Sequence, residues 1–401
     1  MQRALVPARA VHAAALAALL LVPVVVVASY APVWTGQPEP ADLAYFGPAG
    51  AAILRGAWSE VFRDPAVQAG PLELLPFGVL ELVGPSTGAG WVVAHAVGNL
   101  ALVLGYLVAV LAPLARGPLR RRAARSGATS PSRMRPLVYV GAAAGALVVL
   151  GEDLPWAVSS GHPAQVAVPA LWVVAAHAAR RGHSTTTGVL VALSAAWEPW
   201  GVLGAPVIFC AARPDLVRAA CAGAVTVALT YGPFVATGSF RMFELAWPVT
   251  GMSAVHAVLP DLEEFPWSLR LLQAVVVLGV GVAVARLGRR SVYAAWLVPL
   301  AVLTTRLLLD PVMWQYYWIA PQVVLVALAA FAVASRHRAA AVVSVGAALV
   351  VESPGARTLP GLAVLLVLTV LCAVLLHVRA PAPREEHDRV PVPREEHVPV
   401  P

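Results

Sequence analysis

The chain has 401 residues, of which 59% are hydrophobic and 12% charged, against roughly 25% charged in an average soluble domain. Its formal charge of +7 is carried by arginine without any lysine, clustered in the gaps between apolar runs. That placement is the pattern of cytoplasmic loops and argues against nucleic acid as a partner. Cys210, Cys221 and Cys372 sit in or beside apolar runs, with neither metal-ligand spacing nor a disulfide framework.

A spanning helix needs about 20 mostly apolar residues, with its backbone polar groups satisfied internally. Such runs recur along the chain, and the short alternating segments of a barrel are not visible. The expected fold is therefore all-α and polytopic, an integral membrane protein with about 10 full spans plus short or re-entrant helices. Arg3 and Arg9 precede the first run, His12 to Ser29, which reads as a retained anchor with a cytoplasmic N-terminus; the alternative is a signal peptide ending near Ala28. A polar external stretch, 30–70, follows. Pro71 to Gly84 is apolar but short and carries Glu73 and Glu81, as a re-entrant or surface helix would.

Trp91 to Ala112 is expected to cross inward, to a loop holding Arg116, Arg120, Arg121, Arg122, Arg125, Arg133 and Arg135. Leu137 to Gly151 returns to Glu152-Asp153, and Pro163 to Ala179 ends at Arg180-Arg181. Thr187 to Ala212 has arginines at both ends, so its Glu198-Pro199 break predicts a hairpin of two short helices. Ala219 to Ala236 leads out to a second external stretch, 238–266. Five further runs complete the threading: Ser268 to Arg286, Tyr293 to Leu309, Tyr317 to Ala334, Ala339 to Val351 and Leu362 to His377. Residues 1–379 thus form one transmembrane domain. Residues 380–401, with Pro-Arg-Glu-Glu-His at Pro383 and again at Pro393, read as a disordered cytoplasmic tail.

Candidate chemistry lies at the outer ends of the spans. Asp42 to Gly56 fits an amphipathic surface helix closed by glycine, and Asp42 in its first turn is either a site acid or a dipole-favouring cap. His162 before Pro163 is a site residue or the end of a loop. Arg306 is costly near hydrocarbon and either binds an anion, snorkels outward or pairs with Asp310. Glu152 and Asp153 form a weak divalent-cation candidate, with a solvated loop as the alternative. Glu198, an acid between two tryptophans, is a site residue or a hydrogen-bonded turn.

These segments together resemble the GT-C glycosyltransferase fold, in particular bacterial polyprenyl-phosphate-mannose-dependent mannosyltransferases. Asp42, Tyr45, Leu54, Gly56 and Pro71-Leu72 fill the family's first external loop. Ser160-Gly161-His162-Pro163 with Gln165, the run from Gly188 to Trp200, and Arg306 with Asp310-Pro311 and Tyr316-Tyr317-Trp318 supply the later similarities. The resemblance departs at Glu198, where relatives carry lysine before the proline. It implies transfer of a sugar, read as mannose, from a polyprenyl-phosphate donor to a cell-envelope lipid or glycan acceptor. Inversion would occur at the outer face of the plasma membrane, with both termini cytoplasmic. Asp42 would be the general base, with Tyr45, His162, Gln165, Glu198, Arg306 and Tyr316 as substrate-binding residues and a divalent cation as the one cofactor to be considered. A secondary transporter or a non-catalytic membrane scaffold related to these enzymes are the rival expectations.

Overall fold

The computed structural model describes residues 41–83, 89–116, 153–211, 213–334 and 337–352, with isolated positions within 17–29 and 367–375. Much of the first run, the span expected at 137–151, most of that at 362–377 and the repeat tail lie outside the described residues. Within them the fold is all-α. Helix α1 is Ala41–Leu54 and α2 is Pro71–Val83; α3 is Ala89–Arg116, and the short α4 is Asp153–Ser159. Then come α5, Ala164–Arg180, and α6, Ser184–Trp197, followed by a 3₁₀ stretch at Pro199–Cys210. The remainder is α7, Leu216–Ala236; α8, Trp267–Leu287; α9, Ala294–Leu309; α10, Ile319–Ala334; and α11, Arg338–Glu352.

Burial divides these helices into three kinds. On α5 and α9 most positions are buried, as expected of helices apolar on all sides at the centre of a bundle. They pack with α10 around Trp172, Trp296 and Trp318 in a core built mainly from valine, alanine and leucine. By contrast, α8 buries only Gln273, Val277, Gly281 and Ala285, a stripe of four-residue spacing. Its other faces expose Leu271, Leu272, Val275 and Val276, and α7 likewise exposes Val217, Val225 and Leu229. Among the described residues, these two are the helices long and apolar enough to cross a membrane.

The third kind is the pair α1 and α2, which form a cap with its own apolar cluster. Leu43, Phe46, Leu74 and Phe77 meet Val61, Phe62, Phe234 and Met242 there. Glycine permits the crossing: a Cβ on Gly50 would lie 2.0 Å from the Leu74 carbonyl oxygen, and one on Gly78 2.2 Å from the Gly50 carbonyl carbon. Gly56, at φ 76°, terminates the α1 turn.

Helix α6 stops at Trp197, and Glu198 is extended at φ −145° and ψ 137°. Pro199 enforces the stop by lacking an amide donor and disfavouring helical geometry in the residue before it. The carbonyls near the break find other donors: Gly70 N–H donates to Trp197 O (2.9 Å) and the Tyr231 hydroxyl to Ala195 O (2.6 Å). Residues 238–266 add a detail too short for any alternation to show. Trp247–Pro248 (β1) pairs antiparallel with Glu264–Phe265 (β2).

Candidate functional site

Asp42 stands in the first turn of α1, and the cap sets it against the start of α5. Its Oδ2 is 2.7 Å from His162 Nε2; against an ionised carboxylate the imidazole N–H is the donor. Gly161 makes this approach possible. Its φ is 80°, and a Cβ there would lie 2.3 Å from Leu43 Cδ2, so glycine is needed both for the left-handed turn and for room. His162 is then fixed on both sides, stacked on Tyr316 at 4.3 Å and meeting Phe46 edge-on at 6.1 Å. Its backbone N–H donates to Ala157 O at 2.8 Å.

The Asp42 side chain keeps 48% of its surface exposed, so the carboxylate is held yet still reachable. Burial pushes its pKa up, but the hydrogen bond and attraction to His162 outweigh that and leave it below the ordinary 3.8. At neutral pH Asp42 is thus an ionised acceptor in a fixed orientation.

Behind this pair lies a buried charged group. Arg306 is stacked between Trp200 (4.2 Å) and Tyr317 (4.9 Å). Arg270 lies over Trp247 at 4.3 Å. Asp310, fully buried, joins the two: its Oδ1 is 3.3 Å from Arg270 and its Oδ2 3.6 Å from Arg306. One carboxylate thus faces two guanidinium groups, whose donors suit an anion. Tyr317 packs edge-on against Tyr316 at 5.0 Å, so the aromatic stack connects the arginines to His162.

Two more acids lie close by. Glu73 of α2 is buried and accepts from the Ala164 N–H at the start of α5, where the helix dipole favours a carboxylate. It lies within electrostatic range of Glu198 and Asp42, and Glu198 within range of Arg306 and His162. One oxygen on each glutamate is buried without a hydrogen-bond partner among the described residues.

Of the residues singled out from sequence, Asp42, His162, Glu198, Arg306 and Tyr316 are thus brought together from four separate stretches. Gln165 is buried on the first turn of α5, with neither amide atom paired among the described residues. Tyr45 stays exposed; the rings on His162 are those of Phe46 and Tyr316. Glu152 and the Asp153 side chain lie outside the described residues. Among those described, no group of three or more His, Cys, Asp or Glu residues is arranged to hold a metal.

Sequence reasoning passed over Glu73 and Arg270 as site residues. Each is an ionisable side chain in the first turn of an apolar helix, and that costly placement was the available signal. No protein-family model matches the chain, and no curated protein matches it.

Proposed function

We propose that this chain is a polytopic membrane glycosyltransferase of GT-C type, moving a sugar from a polyprenyl-phosphate donor to a lipid or glycan acceptor at the outer face of the cell membrane. One observation carries this: Asp42, His162 and Tyr316, far apart in sequence, converge beside the Arg270–Asp310–Arg306 group. A reachable, ionised carboxylate stands next to two largely buried guanidinium groups. Displacement at a sugar–phosphate bond needs that pair of features, a proton acceptor for the nucleophile and a cationic partner for the leaving group.

Two features support the membrane setting. Helices α7 and α8 have mean hydropathies of 1.5 and 2.0 over their most apolar windows, with only 11% and 28% of those windows buried. The core helix of a soluble protein would be covered. Secondly, Arg180 and Arg181 end α5, and Arg286, Arg289 and Arg290 end or follow α8. Both helices begin at the site, so these arginines gather at the far end, as a cytoplasmic end requires.

In the proposed reaction the acceptor hydroxyl loses its proton to Asp42 as its oxygen bonds to the anomeric carbon. The bond from that carbon to the phosphate oxygen breaks on the opposite side, so configuration inverts, and polyprenyl phosphate leaves with the electron pair. His162 orients Asp42, while Arg306 and Arg270 offset charge on the departing phosphate. Glu198, where the resembled enzymes carry lysine, puts an acid near the donor and directs the phosphate toward the arginines.

The test uses the full chain in phospholipid vesicles, with radiolabelled polyprenyl-phosphate mannose and an envelope lipid extract as acceptor. Labelled product is expected, and Asp42→Asn should lower turnover by about 10²-fold or more while leaving the fold intact. Glu60→Gln and Asp64→Asn, at exposed positions on the same side, should keep most activity. Near-normal turnover in Asp42→Asn would remove it from the base role. Passage of an unaltered solute across the vesicle, with no labelled product, would favour a transporter instead.

A further inference from the structure

Residues 238–266 join the outer ends of α7 and α8 and were expected to form a second external stretch. The structure gives them another character. Phe243, Met252, Val258 and Leu259 are all exposed, Val258 at 77%. This exposure is built into an ordered segment. Ser253 caps the Ala254–Val258 turn by accepting from His256 N–H at 3.1 Å, and Thr250 N–H donates to Pro311 O at 2.9 Å. Met313 N–H donates back to Thr250 Oγ1 at 3.2 Å, and Arg241 N–H to Phe62 O at 2.9 Å. A segment pinned at so many points does not fold its apolar side chains away.

Both flanking helices carry bare apolar side chains as well: Leu229 and Val235 on α7, Leu271 and Leu272 on α8. At the junction, Phe240, Phe243, Trp267 and Trp247 form a chain of ring contacts with centroids 5.5, 4.8 and 5.1 Å apart. Aromatic side chains, tryptophan above all, collect where hydrocarbon meets headgroups. The polar side of the same segment carries Asp261, Glu263 and Glu264, all exposed, as expected of a chain lying along an interface rather than crossing it.

We propose that residues 238–266 are seated in the outer-leaflet interface of the bilayer, with Phe243, Met252, Val258 and Leu259 among phospholipid headgroups and upper acyl chains. This placement rests on α7 and α8 spanning the membrane. It also has a consequence for the site: Trp247 and Phe265 of the segment cover Arg270 at 4.3 and 5.5 Å. A membrane-seated edge therefore shelters one arginine of the buried charged group, and a lipid-borne phosphate would reach that group past this edge.

The experiment places single cysteines at Val258, Leu259, Glu263 and Leu229 in a full chain whose Cys210, Cys221 and Cys372 are replaced by serine. Each variant is spin-labelled and reconstituted in phosphatidylcholine–phosphatidylglycerol vesicles, and collision with oxygen is compared with collision with a water-soluble nickel chelate. Labels at Val258 and Leu259 should favour oxygen, at a depth shallower than Leu229, while Glu263 should favour nickel. Using both Val258 and Leu259 keeps the test valid should one variant fail to fold. Nickel exposure at Val258 and Leu259 equal to that at Glu263, with Leu229 in hydrocarbon, would overturn the seated segment and leave the spanning helices standing. Nickel exposure at Leu229 as well would overturn both.

Discussion

The bundle and the cap are both apolar inside, but they are held in different ways. Around α5, α9 and α10 the core is aliphatic with three large indoles, and close packing of side chains does the work. In the cap four phenylalanines, Phe46, Phe62, Phe77 and Phe234, pack among smaller aliphatic side chains, and the decisive contact is backbone on backbone at Gly50 and Gly78. A core of side chains tolerates exchanges of similar volume, whereas a glycine crossing tolerates none. The site lies on the seam: Asp42 and Glu73 come from the cap, and His162, Arg306 and Tyr316 from the bundle. Position of the acid is therefore entrusted to the less forgiving region.

The largest effect is expected on the bundle side. Asp310→Ala leaves Arg270 and Arg306 facing each other in a buried setting, and removing one partner of such a group costs about 3–5 kcal/mol. Thermal unfolding in detergent should show this loss, with a smaller one for Asp310→Asn. A loss no larger than at an exposed position would mean that apolar packing alone holds that end of the bundle.

On the cap side, Gly50→Val should cost about 1–3 kcal/mol through overpacking, and its effect should be local. Hydrogen exchange should quicken in α1 and α2 while α5 and α9 keep their protection. Equal deprotection of all four would show instead that cap and bundle open as one unit.

The smallest effect concerns acid. Because the folded pKa of Asp42 is depressed, its pairing with His162 stabilises fully above the ordinary value of 3.8 and is lost as pH falls through the lower folded value. Exposure of the carboxylate keeps this contribution modest. Acid titration followed by exchange in α1 should show the loss below about pH 4, and Asp42→Asn should abolish that step. A cap whose acid lability is unchanged in Asp42→Asn would show that another carboxylate governs it.

Much of the bundle was legible because length and hydropathy are local properties. The run read at Ser268 to Arg286 is the helix Trp267–Leu287, and that read at Ala219 to Ala236 is Leu216–Ala236. The break at Glu198-Pro199 was equally plain, since proline acts on its immediate neighbours. The site was legible only as separate ionisable residues at helix ends. Nothing in the spacing of Asp42 and His162 says that they meet; that depends on the α1–α2 crossing and on the turn at Gly161, both set by tertiary packing. Arg270 escaped notice because a lone arginine at the start of an apolar helix is indistinguishable from one that snorkels. Only its position between Trp247 and Asp310 shows otherwise.

The distance along the chain between Asp42 and Tyr316 also matters while the protein is being made. Synthesis proceeds at about 5–20 residues per second, so on the order of 10–60 s separates the emergence of the acid from that of the ring that stacks on its histidine. During this interval α1 and α2 can already cross at their glycines, a contact close in sequence and so formed early. The pairing with His162 comes next, and the ring that holds His162 in place comes only with the segment after α9. A chain stalled or cleaved before that segment would carry a formed cap and an unfinished site.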